Sequence, residues 1–138
     1  MDLFAGSGAL GIEAISRGAA HAAFVETDRY ALSAIEANLQ SLQIEHQTSV
    51  RRGDALRIAA TLPACDLCFA DPPYAFDDWE TLLESVRATH LVIESNREIA
   101  VPQPWIVVMT RRYGGTVVQL LERARRCDEP IIPKGDVQ

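Results

Sequence analysis

A chain of 138 residues, 48% hydrophobic and 23% charged, is long enough to bury one core and too short for several. No signal peptide is visible and no apolar run approaches the roughly 18 residues of a membrane span, so a cytoplasmic domain without a membrane partner is expected. The net charge of -6 argues against a uniformly basic, phosphate-gripping surface.

The chain opens on the short apolar stretch Asp2-Leu3-Phe4-Ala5, which runs into Gly6-Ser7-Gly8-Ala9-Leu10-Gly11: strand, then glycine turn. A helix follows over Leu10 to Arg17, closed by Gly18 as its C-terminal cap. Next come a strand at Ala22 to Val25 and a helix at Arg29 to Leu42, where Leu32, Ile35, Leu39 and Leu42 form a core stripe. A strand at Gln47 to Arg51, a helix at Ala55 to Leu62, a strand at Leu67 to Asp71, a helix at Phe76 to Ala88 and a strand at Leu91 to Glu94 continue the alternation. The pattern then changes to a β-hairpin, Trp105 to Thr110 and Thr116 to Leu121, turning at Gly114-Gly115. Such alternation predicts an α/β fold of Rossmann-like type, a mostly parallel sheet with helices on both faces and an antiparallel hairpin at its end. Residues 1–138 read as one domain whose tail is irregular from about residue 125, including Pro130 to Gly135.

Chemistry is concentrated at the strand ends. After the run Leu67-Cys68-Phe69-Ala70 stands Asp71-Pro72-Pro73-Tyr74. Two prolines fix φ and exclude helix, so the Asp71 carboxylate and the Pro72 carbonyl are held rigid as a pair of acceptors. An exocyclic amine of a nucleobase is a poor nucleophile because its lone pair is drawn into the ring. Two fixed acceptors on its N–H bonds free that lone pair, and Tyr74 offers a ring on which an extruded base can stack. At the amino terminus, the glycine turn lets backbone approach a ligand, and the helix start behind it favours an anion. Read as GxGxxG with Glu26 twenty residues beyond the first glycine, it suits a dinucleotide as well as S-adenosylmethionine. Asp54, in Arg52-Gly53-Asp54, is placed both to cap the helix that follows and to touch an adenine. Asp2, Glu26, Asp54 and Asp71 are all expected to face the crevice at the carboxyl ends of the strands.

These segments, in this order, resemble the RsmD-type family of 16S ribosomal RNA guanine-N2 methyltransferases, within the class I S-adenosylmethionine-dependent enzymes. The resemblance rests on residues 2–14, on Phe24-Val25-Glu26, on Arg52-Gly53-Asp54, on Ala70 to Tyr74 and on Arg112-Tyr113-Gly114-Gly115-Thr116. It implies that Phe4, Ala5, Gly6, Ser7 and Gly8 line the methionine part of S-adenosylmethionine, with Asp2 and Asp71 also in the cofactor set. It further implies that Glu26 holds the ribose hydroxyls, that Asp54 with Ala55 lies at the adenine, and that Asp71, Pro72, Pro73 and Tyr74 receive the guanine. The implied product is S-adenosylhomocysteine, the implied partner 16S rRNA in the small subunit or its assembly intermediate, and the implied state a monomer. Gly115 departs from the acid more usual there. Family members also carry a segment upstream of the first glycine motif. Here about three residues remain for the central strand, against the five or six of a typical strand, so the expectation is either a true start further upstream or a truncated chain with binding and turnover both at stake.

Alternative readings follow from single features. The glycine turn alone fits a nicotinamide-dependent oxidoreductase; the Pro-Pro-Tyr turn alone fits an amino-methyltransferase acting on DNA or protein; the short first strand fits a non-catalytic cofactor-binding remnant. Residues 101–138 hold 6 Lys or Arg against 4 Asp or Glu, while residues 1–100 hold 7 against 15, so Arg111, Arg112, Arg123, Arg125 and Arg126 are candidate phosphate contacts. Cys65 and Cys68 lack the second pair that a zinc site needs, and His21, His46 and His90 fit no ligand spacing, so no metal is expected. Phe76 and Asp77 stand close enough to Tyr74 to shape a base pocket, with Asp77 an equally good helix cap.

Overall fold

The computed structural model describes residues 1–125, so Arg126, Cys127 and the tail from Pro130 to Gly135 lie outside the described residues. Strands β1 (Asp2–Leu3), β2 (Ala22–Glu26), β3 (Thr48–Arg52), β4 (Cys65–Ala70) and β5 (Ala88–Ser95) alternate with helices α1 (Ala9–Ser16), α2 (Arg29–Leu42), α3 (Ala55–Ala59) and α4 (Trp79–Ser85). The hairpin β6 (Trp105–Tyr113) and β7 (Thr116–Arg123) follows. All seven strands form one sheet in the order β3-β2-β1-β4-β5-β7-β6. The first five are parallel, and β7 runs antiparallel to both β5 and β6. The chain therefore winds outward from β1 in one direction to β3 and then returns to lay β4 on the other side of β1. That reversal opens a crevice at the carboxyl ends of β1 and β4, the place where open α/β sheets bind ligands.

Strand β2 shows how the two faces fill. Phe24 and Val25 are both fully buried, and successive strand residues face opposite sides. Phe24 packs with Ala22, Ile35 and Leu39 under α1 and α2, whereas Val25 joins Leu3, Cys68, Leu82, Leu91 and Ile93 under α3 and α4. Each such large side chain contributes roughly 1.5–3 kcal/mol through burial. Strand β1 is as short as the sequence indicates, yet it pairs on both sides, Asp2 opposite Phe24 and Phe69. Its ladder extends to Met1, whose carbonyl accepts from the Phe69 N–H at 2.9 Å and whose ammonium donates to the Leu67 carbonyl at 2.9 Å. Cys65 and Cys68, three apart on β4, face opposite sides of the sheet and cannot share a ligand.

Most predicted elements are present, with corrections at their ends. The helix expected over Phe76 to Ala88 is shorter at both ends. Phe76 N–H closes a turn on the Pro73 carbonyl at 2.8 Å, which delays the helix to Trp79. At the other end Val86 is extended and Ala88 pairs with Cys65, because the β-branched, alternately buried run from Ala88 belongs to β5. The cap of α4 is Asp78 rather than Asp77; Asp77 instead pairs with Arg97 at 2.6 Å. Helix α3 ends at Ala59 rather than Leu62, where Thr61 Oγ1 donates to the Ile58 carbonyl at 2.8 Å. Gln47 falls in a 3-10 turn, Glu45–Gln47, ahead of β3. Gly18, at φ +102°, closes α1 as expected.

The hairpin is fastened to the body by two buried polar contacts. Trp105 Nε1 donates to the Leu83 carbonyl at 2.8 Å. Gln119, 3% exposed, accepts from the Ile99 N–H at 2.8 Å and donates to the Ile99 carbonyl at 3.1 Å. The hairpin also splits the arginines: Arg111 and Arg112 lie near its turn, whereas Arg123 stands at its far end, over the Trp105 ring at 5.4 Å.

Candidate active site

The site is built from the loops that leave the carboxyl ends of β1 to β5. After Leu3 the chain turns sharply, with Phe4 at φ +58°, Gly6 at φ +58° and Gly8 at φ +85°. Gly8 N–H donates to the Ala5 carbonyl at 2.9 Å and closes the turn. The glycines have different uses. A Cβ on Gly6 would meet nothing within 4 Å, whereas one on Gly11 would come to 2.4 Å from Phe24 Cε1 and one on Gly8 to 3.2 Å from the same atom. Gly6 thus opens toward the crevice, while Gly8 and Gly11 bring α1 down onto Phe24. Gly8, expected in the cofactor set, is placed beneath the cleft rather than in its wall. Asp2 faces the crevice from below: it is 2% exposed and its Oδ2 accepts from the Gly11 N–H at 3.0 Å. Burial pushes its carboxyl up to about 6, against the lowering effect of that hydrogen bond, with the Asp71 and Glu26 charges adding to the rise.

At the end of β2, Glu26 is fixed by backbone donors. Its Oε1 accepts from the Gly6 N–H at 2.8 Å and its Oε2 from Thr27 at 2.6 Å and Asp28 at 3.1 Å. The acid is thereby tied to the glycine turn across the strand. Past β3, Asp54 caps α3 by accepting from the Arg57 N–H at 3.0 Å, and it lines the crevice with Ala55, so the capping role is observed and the residue also stands in the cleft wall.

Past β4, the Asp71 carboxyl is held above its usual range by partial burial. Pro72 is buried and Pro73 exposed, as a rigid wall requires. Tyr74 is 61% exposed and its hydroxyl lies 3.2 Å from Thr116 Oγ1, at the hairpin turn. That contact gives the Tyr113-Gly-Gly-Thr116 segment a position in the site. Phe76 meets Phe4 edge-on at 5.3 Å and Trp79 at 5.1 Å, joining the glycine turn to the loop after β4.

Two adjoining hollows result. The smaller, about 260 Å³, is walled by Phe4, Glu26, Asp54, Ala55, Leu56 and Phe76. The larger, about 630 Å³, is walled by Asp2, Phe4 to Ser7, Ala9, Leu10, Glu26 and Asp71 to Tyr74, and also by Glu94. Phe4, Glu26, Thr27 and Pro73 belong to both, so they form one cleft. Phe76, expected beside Tyr74, instead walls the Asp54 side, and Asp77 is in neither hollow. Thr27 and Leu56 were not legible as site residues, being ordinary side chains placed by their neighbours. Among the described residues no cluster of His, Cys, Asp and Glu has metal-binding geometry, and no helix is long and apolar enough to cross a membrane.

The strand order, the terminal antiparallel pair and a cleft at the β1/β4 reversal define a Rossmann-like methyltransferase. A protein of Escherichia coli, yhhF, provisionally named a methyltransferase, superposes with a TM-score of 0.79 at 29% identity over 91% of this chain and 75% of its own. The family described as Conserved hypothetical protein 95 matches residues 1–122, and the chain belongs to it; this is the RsmD-type family. Among relatives, YlbH of Bacillus subtilis, provisionally named an rRNA methyltransferase, is 35% identical over 89% of this chain and 74% of its own length. The Ribosomal RNA small subunit methyltransferase D of Haemophilus influenzae is 28% identical over 83% of this chain and 66% of its own.

Proposed function

We propose that this chain transfers the methyl group of S-adenosylmethionine to the exocyclic N2 amine of a guanine in the 16S rRNA of the small ribosomal subunit. The observation that carries the reading is the rigid Asp71-Pro72-Pro73-Tyr74 turn opening into the same cleft as the glycine turn. The relatives named above as rRNA methyltransferases support ribosomal RNA as the substrate class. A cytoplasmic location and a monomeric state belong to the same proposal.

The residues present fit S-adenosylmethionine, which when bound supplies an electrophilic sulfonium methyl. Open space above Gly6 admits the methionine part. Gly8 supplies no side-chain cap to α1, and with the Gly11 N–H taken by Asp2, the Ala9 and Leu10 N–H groups are left to face a carboxylate. Glu26, held by three backbone N–H groups, presents its remaining lone pairs to ribose hydroxyls. Asp54 spends one oxygen on its cap and keeps the other for an adenine amine, between Leu56 and Phe76.

Positioning carries the catalysis. Asp71 and the Pro72 carbonyl accept the two N–H bonds of the guanine amine and turn its lone pair toward the methyl, while Tyr74, oriented by Thr116, stacks on the base. Such alignment lowers a barrier by roughly 7–11 kcal/mol when geometry is near attack. The proton released after transfer goes to Asp71, whose carboxyl is raised above its usual range by partial desolvation, or to water. Calorimetric titration with S-adenosylhomocysteine, with NAD alongside, tests the cofactor: micromolar binding of the first alone is expected, and binding of NAD instead would sink the reading. Asp71→Ala is expected to keep that affinity and lose turnover; loss of both would make the aspartate structural.

A further inference from the structure

The reading above explains Asp71 to Tyr74 but leaves unexplained the one acid of the larger hollow that no motif announced. We infer that Glu94 selects guanine, by accepting the ring N1–H beside the amine that Asp71 and Pro72 hold. This rests on the proposed amine chemistry of the site and deepens it.

Register places the residue. Strands β4 and β5 are parallel neighbours with Ala70 opposite Ile93, so the next pair is Asp71 and Glu94. Paired positions on adjacent strands lie about 4.8 Å apart with side chains on the same face. Both acids wall the larger hollow together with Pro72 and Tyr74. The flanking residues Ile93 and Ser95 are buried on the opposite face, which fixes the direction of Glu94 into the hollow. It forms no ion pair among the described residues. Burial raises the Glu94 carboxyl above its usual range, and the Asp71 charge adds to the rise.

Base chemistry supplies the rest. Two acceptors fixed on an amine fit adenine, cytosine or guanine alike. Guanine alone of these sets a ring N–H donor beside its amine; adenine N1 and cytosine N3 offer lone pairs there. A carboxylate next to the amine site gains a charge-assisted hydrogen bond from guanine and meets a repelling lone pair in the other two. A site built to accept a substrate N–H discriminates against a base that lacks it, because the acceptor is left unpaired.

The test uses small subunits reconstituted with 16S rRNA carrying either guanine or 2-aminopurine at the nucleotide that the wild-type chain methylates. 2-Aminopurine keeps the amine and replaces N1–H by a lone pair. Wild type is expected to prefer guanine by about 100-fold in kcat/KM. Glu94→Gln, which can donate to that lone pair, is expected to lose about 10- to 100-fold on guanine and to narrow the preference to less than about 10-fold, with affinity for S-adenosylhomocysteine unchanged. An unchanged preference in Glu94→Gln, or a loss of cofactor affinity with it, would overturn the assignment while leaving the methyl-transfer reading intact. A wild-type chain that binds the cofactor product and methylates neither RNA would instead overturn the reading itself, and this assignment with it.

Discussion

Replacing Asp2 by Asn tests how the central strand tolerates an acid inside the sheet. Asp2 is 2% exposed, and its carboxyl has a pKa of about 6 in the folded chain against 3.8 as an isolated side chain. The sign follows from which state binds the proton. Below 3.8 both states are protonated and the group has no effect; between 3.8 and about 6 the folded state holds a proton that the unfolded state has released, so stability falls as pH rises. Above that window both are ionised and the penalty is complete, about 3 kcal/mol at about 1.36 kcal/mol per pH unit. At pH 4 the same relation leaves roughly half a kcal/mol. Asn keeps an oxygen for the Gly11 N–H and carries no charge. Urea denaturation followed by circular dichroism should therefore find Asp2→Asn more stable than wild type by about 1–3 kcal/mol at pH 8, with most of that difference gone at pH 4. An equal effect at the two pH values, or destabilisation at pH 8, would refute the burial argument.

Three further substitutions probe packing and positioning. Gly11→Ala would favour helix by about 1 kcal/mol, yet its Cβ would sit 2.4 Å from Phe24 Cε1; overpacking should dominate and lower the Tm by roughly 5–15 °C in a thermal melt. Gln119→Leu leaves the Ile99 N–H and carbonyl without their buried partner, and chemical denaturation should show a loss of about 2–5 kcal/mol. Thr116→Val removes the 3.2 Å contact to the Tyr74 hydroxyl; steady-state kinetics should show the KM for RNA raised about 3- to 10-fold, with cofactor affinity and stability little changed.

The fold was legible because its elements alternate in period and are separated by glycine, proline and capping acids. Asp54 does cap α3 as expected, and Leu32, Ile35 and Leu39 do face the core, but Leu42, expected in the same stripe, is 54% exposed because it is the last residue of α2, where the helix has run past the sheet. Element ends were less legible where a neighbour decides them: Ala88 reads as helix in isolation and is strand because Cys65 and the hairpin pair with that segment. In the site, the residues that announce themselves are those with unusual backbone demands, Gly6 at positive φ and the two prolines. Glu94 was legible as the acid ending the fifth strand and able to face the cleft, which it does, but its pairing beside Asp71 and the contact of Thr116 with Tyr74 were not, because they depend on strand pairing and loop packing that no local pattern encodes. Gly8 has the spacing for a ligand turn, and the structure adds a packing demand that the spacing does not show, since a Cβ there would come to 3.2 Å from Phe24 Cε1.

The most direct measurement supplies the chain with tritiated S-adenosylmethionine and small ribosomal subunits lacking the modification, then digests the RNA to nucleosides. The account predicts label in N2-methylguanosine, at one position of 16S rRNA, and none with Asp71→Ala. Label in another nucleoside, or none from a chain that binds S-adenosylhomocysteine, would contradict it.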